Sequence, residues 1–171
     1  MTGEKIELKR LLEGVAPGER PRGVGLVVFE AQCASSANEV HEKVREVLQV
    51  VLSQSGDHWP TLSTWKELLP SWFVVACAPE KTLEDQERWL QWFKNLPSDE
   101  QSLVQNQAPW TLAGWLYWLQ PENRSWFWWN GSVVSDDILR VEVEVDSSPF
   151  ASGALEWILR AAGATGVDMR G

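Results

Sequence analysis

The sequence predicts an α+β fold in a single domain, with a mixed β-sheet of about four strands packed by four or five helices. Three observations predict it. Apolar runs at 24–31 and 71–77 are rich in β-branched and aromatic residues, and helical patterns lie between them. That order implies a crossover and parallel pairing. An alternating segment at 138–146 follows an aromatic strand at 126–130, which reads as an antiparallel hairpin. The 171 residues are 44% hydrophobic and 23% charged, enough apolar material for one core.

Taken in order, Ile6, Leu8, Leu11 and Leu12 mark a short helix. Residues 14–23 hold glycines and prolines and read as a loop. Residues 1–22 are therefore expected as an arm, or a short helix plus loop, ahead of a globular unit at 23–163. Ser36 with Glu39 three residues on forms a capping box. Val40, Val44, Val47, Leu48 and Val51 then draw one apolar stripe. Thr61–Leu69 reads as a short helix closed by Pro70, and 71–77 as a second buried strand.

Thr82 caps a helix with Trp89, Trp92, Phe93 and Leu96 at i, i+3, i+4, i+7, a spacing that predicts a core face. Pro109 starts another helix and Pro121 ends it. Asn130-Gly131 is the preferred centre of a type I′ turn. Along 138–145, Leu139, Val141, Val143 and Val145 share one strand face, while Arg140, Glu142 and Glu144 share the other. A helix over 152–162 ends at Gly163. Residues 164–171 read as a frayed tail.

The net charge is −9. Residues 1–25 are nearly balanced, so the deficit lies in the main body. That balance disfavours nucleic acid and anionic membrane and permits a basic protein partner. No window approaches the ~18 apolar residues of a membrane span. The charged start MTGEKIELKR and two cysteines set in apolar runs point to a cytoplasmic protein.

Catalytic patterns are incomplete. His41-Glu42 opens like the zinc motif H-E-x-x-H, but position 45 is Arg, so no metal site is expected. Asp57-His58 in a loop could orient a general base, with Cys33 or Cys77 as nucleophile, only if the fold brings them together. Gly23-Val24-Gly25 precedes a strand, the wrong order for cradling phosphate. No cofactor is implied, and no motif names a family.

Tryptophan is the anomaly: 12 residues, of which Trp110, Trp115, Trp118, Trp126, Trp128 and Trp129 fall within one short stretch. Such a cluster makes a Trp-rich core, an interface or a stacking platform. The function expected is a non-catalytic interaction module of the adaptor, regulator or immunity type. Its partner would dock on the hairpin, with Trp126, Trp128 and Trp129 as anchors and Glu142, Glu144 and Asp146 as charge complement. The alternative is a ligand-binding or hydrolytic domain with a Trp-lined pocket using Trp118, Asp57, His58 and Asp136. Pairing of two copies through the doubly apolar strand 126–129 is a further expectation.

Overall fold

A computed structural model describes residues 3–54 and 58–170 of the chain. It is an α+β fold with eight helices and one four-stranded sheet among the described residues. The strands are β1 (Gly25–Cys33), β2 (Trp126–Ser135), β3 (Ile138–Val145) and β4 (Ala164–Arg170), in the order β2-β3-β1-β4. Every pair in it is antiparallel. The parallel pairing expected of a mixed sheet is absent because its second strand is not a strand.

That segment, 71–77, forms the helix α4 (Ser71–Ala76). A short apolar run looks the same as a strand and as a buried helical turn. Here only Phe73 is buried, while Val75 stands in water. Phe73 and Trp115 make an edge contact with ring centres 4.7 Å apart, which fixes Phe73 to the helical layer. The fourth strand comes instead from the expected tail. β4 pairs with β1 from Val28↔Arg170 to Cys33↔Ala164, and Arg170 reaches Glu30 at 3.2 Å.

The inner face of the sheet pairs Phe29 with Val141 and Ala31 with Leu139. Two helices cover it. Helix α2 (Ala37–Ser53) buries Val40, Val44, Val47, Leu48 and Val51, the stripe read from sequence, after Ser36 accepts the Glu39 N–H at 3.3 Å. Helix α8 (Gly153–Ala162) buries Leu155, Trp157, Ile158 and Leu159 and ends on Gly163 at φ 126, a left-handed position that favours glycine.

Helix α1 (Gly3–Glu13) is docked, not a loose arm. Its Glu7 accepts two bonds from Arg124 at 2.6 and 2.5 Å and one from the Trp128 N–H at 2.7 Å. Arg10 donates to the Trp128 carbonyl at 3.1 Å. Two side chains of α1 thus occupy the open edge of β2, which would otherwise be free to pair with another strand.

The hairpin does not turn at Asn130-Gly131. β2 runs through that pair, and Asp136-Asp137 make the turn, with Ser135 Oγ donating to Asp137 at 2.9 Å. The register slips at Trp129, a bulge that lets Trp128 and Trp129 both be buried. Gly131 is required for a different reason. A Cβ there would lie 2.7 Å from His41 Nε2 and 2.7 Å from the Trp128 ring, and those two rings are stacked on each other. Burial also holds the His41 imidazole below its usual pKa, with Arg45 adding to the shift. We therefore expect Gly131→Ala to destabilise the fold by about 1–3 kcal/mol in urea unfolding, the cost of overpacking. An unchanged midpoint would mean that α2 backs away without loss.

Candidate functional site

Between α4 and β2 the chain leaves the body and returns. Helix α3 (Leu62–Leu68) precedes α4, and helix α7 (Leu112–Leu119) precedes β2. Ala78 and Thr111 form a single parallel bridge, closed by the Ala78 N–H on the Trp110 carbonyl at 2.8 Å. Glu80 accepts the Ala113 N–H at 3.0 Å at the same neck. Everything from Pro79 to Pro109 is an excursion beyond that neck. It consists of helix α5 (Leu83–Lys94) and helix α6 (Ser98–Gln107). Among the described side chains from 79 to 109 none belongs to the hydrophobic core.

The local sequence explains the helices. Thr82 Oγ1 accepts the Asp85 N–H at 3.1 Å, and Glu84 and Asp85 suit the positive helix start. Glu84 and Arg88 pair at 3.1 Å, one turn apart. What the helices lack is burial. No side chain of α5 is buried, contrary to the core role its stripe predicts. Trp89 and Phe93 stack at 4.9 Å, Trp92 is 51% exposed and Leu83 80% exposed. Leu90 and Leu103 are exposed as well.

The hairpin acids and indoles fall elsewhere. Trp126, Trp128 and Trp129 are all buried, so none offers its ring as an anchor. They fill the space between sheet and helices, and Trp129 lies 4.7 Å beneath the Arg10 guanidinium. Glu144 is only 8% exposed and accepts the Arg22 backbone N–H. Glu142 is half-buried and Asp146 exposed. On this face Glu30 of β1 pairs with Arg140 of β3 at 3.0 Å and with Arg170 of β4, the one cation here that another strand supplies. The acidic stripe of the isolated strand becomes a mixed-charge face in the sheet.

The residues of the expected pocket are scattered. Trp118 is exposed on α7 in an edge contact with Tyr117, His58 is exposed in the α2–α3 loop, and Asp136 sits at the hairpin turn. No hydrogen bond or ring contact joins any two of them among the described residues. Asp57 lies outside those residues. A cavity of about 550 Å³ does open beside α1, but Arg10, Glu19, Arg22, Arg124, Phe127 and Glu144 line it and no tryptophan does. Its deeper charges are already matched, Arg124 by Glu7 and Arg10 by Glu19 at 2.7 Å. The Arg10 guanidinium holds the Glu19 carboxyl below its usual range.

The thiols are poorly placed for nucleophilic work. Burial raises Cys33 and pushes Cys77 up to about 11, so both stay protonated near neutral pH. Among the described residues no cluster of three His, Cys, Asp or Glu could hold a metal, and no helix is long and apolar enough to cross a membrane.

Of the twelve tryptophans only Trp92 and Trp118 are exposed. Sequence reasoning missed the first because periodicity reports that a face is apolar, not what covers it. One signal was available. The stretch after α5 offers only Leu103 and Val104 as apolar cover, and Pro79 and Pro109 bracket the whole segment. Comparison with protein-family models, curated proteins and solved structures finds no match to this chain.

Proposed function

We propose that the protein is a non-catalytic interaction module that binds another protein through the 79–109 excursion, with Trp92 as its anchor. One observation carries the reading. A segment of two helices bearing two tryptophans contributes none of its described side chains to the core, yet keeps Leu83, Leu90, Trp92 and Leu103 in water. Exposed apolar surface of this kind is costly to solubility and is typical of contact sites. Tryptophan is enriched among the residues that dominate binding energy. The excursion holds six acidic and three basic residues, in a chain of net charge −9, so a basic partner is favoured.

The test starts from the protein that co-purifies stoichiometrically with the tagged chain at native level. Once that partner is purified, its affinity is measured against the wild type and two variants. Trp92→Ala should weaken binding by about 30-fold or more, the loss of a hot spot. Glu142→Lys with Asp146→Lys, on the hairpin, should change it little. The opposite ranking would move docking to β3 and overturn the proposal.

A further inference from the structure

The cavity of about 550 Å³ beside α1 lies on the polar face of the sheet, away from the excursion. Glu144 of β3 forms its floor, with Phe127 of β2 directly across the strand pair. α1 supplies one wall through Ile6, and residues 19–22 supply another. That second wall is held at both ends. Glu19 accepts from Arg10 at 2.7 Å and from the Ala16 N–H at 3.1 Å. The Arg22 N–H donates to Glu144, and the Val24 N–H donates to the Val145 carbonyl at 2.9 Å. Gly23, at φ 69, permits this approach, since a Cβ there would lie 2.6 Å from the Val145 carbonyl oxygen. Pro21 stiffens the short piece between the two anchors. Arg20 and Arg22 are therefore held beside the cavity in advance of any ligand, which lowers the entropic cost of binding.

The charges around the cavity fall into two sets. Arg124 with Glu7 and Arg10 with Glu19 are matched at 2.5 and 2.7 Å. Arg20, Arg22, Glu144 and Asp146 line the same space and form no ion pair among the described residues. Glu144 has the strongest need of a partner. It is 8% exposed, and the hydrogen bond its carboxylate accepts there is from the Arg22 backbone. A carboxylate this buried is unfavourable without a cation beside it. Two guanidinium groups and two carboxylates thus border one open space without direct contact. A simple anion would bring nothing to Glu144, and a simple cation would bring nothing to Arg20 and Arg22. A ligand carrying both charges satisfies both sets.

We propose that this cavity binds a small zwitterion of the α-amino-acid class. Its ammonium sits on Glu144 and Asp146, its carboxylate on Arg20 and Arg22, and an apolar side chain lies against Phe127 and Ile6. The volume is within the about 300–1,000 Å³ of small-molecule sites. The site is independent of the partner surface on the excursion.

The test begins with thermal unfolding of the full chain in each of the twenty natural L-amino acids at about 10 mM, where a bound ligand raises Tm by mass action. Calorimetry then compares the amino acid giving the largest rise with its N-acetyl and carboxamide forms, which keep one charge each. The zwitterion should bind at least about tenfold more tightly than either. Glu144→Gln keeps the shape and an acceptor for the Arg22 N–H. It should weaken the amino acid by about tenfold or more and leave the N-acetyl form no weaker. Arg20→Gln with Arg22→Gln should weaken the amino acid by a similar factor and spare the carboxamide form. Both arginines are exposed, so this second variant tests the site even if Glu144→Gln fails to fold. Glu142→Gln, on the same strand face but outside the cavity, should bind as the wild type does. Four results overturn the proposal: no rise in Tm with any of the twenty, equal binding of the N-acetyl form, equal binding of the carboxamide form, or binding that survives both sets of substitutions.

Discussion

Arg124→Leu should lower the unfolding free energy by about 3–5 kcal/mol, the cost of leaving a buried charge uncompensated. The side chains of Arg124 and Glu7 are about as buried as the aliphatic core, and their two ends meet in a fork of 2.5 and 2.6 Å. Without the guanidinium, the Glu7 carboxylate keeps only the Trp128 N–H inside the protein. The decisive comparison is the double variant, Glu7→Leu with Arg124→Leu. Replacing both ions by apolar groups removes the stranded charge but orphans the Trp128 N–H, which costs about 1–3 kcal/mol. The double variant should therefore be more stable than Arg124→Leu alone. Urea unfolding of the three proteins reads this directly. Additive losses would show that the pair stabilises through packing of α1 and not through charge compensation.

How far the fold was legible follows from where each signal lives. α2, α8 and β3 each carry a pattern matched to their own period, and each faces one apolar layer, so the apolar stripes agree with the structure, while Glu144 on the polar face of β3 and Trp157 beside the α8 stripe are buried as well. The failures share a cause: the deciding neighbour is distant in the chain. Whether 71–77 is strand or helix depends on Trp115, against which Phe73 packs. Asn130-Gly131 does not turn because the pair is laddered to Glu142 and Val141 of β3, and its glycine answers to the close approach of His41. β4 has few apolar residues and is held by the backbone ladder to β1, which leaves no trace in hydropathy. The same holds for the candidate site. The stripe on α5 was legible, but its lack of a cover is a fact about the rest of the molecule. The hairpin tryptophans read as candidate anchors until a bulge at Trp129 and the approach of Arg10 put them inside.

Trp115→Ala should cost about 3–5 kcal/mol, and Trp92→Ala should cost within about 0.5 kcal/mol of nothing. Both indoles sit on helices, yet their surroundings are opposite. Trp115 is fully buried, its Nε1 donates to the Ala154 carbonyl at 3.0 Å, and its ring makes an edge contact with Phe73. Truncating it opens a cavity where α4, α7 and α8 meet and strands a backbone carbonyl. Trp92 contacts Trp89 at 6.4 Å between ring centres and keeps about half its surface, 51%, in water. Thermal or urea unfolding of the two variants separates them without knowledge of any partner. A large loss for Trp92→Ala would mean that the excursion is folded against the body in solution, and its aromatic face would then be core, leaving no surface for a partner. A negligible loss leaves Trp92 free of any part in stability, which is what the proposed contact with another chain requires of its anchor.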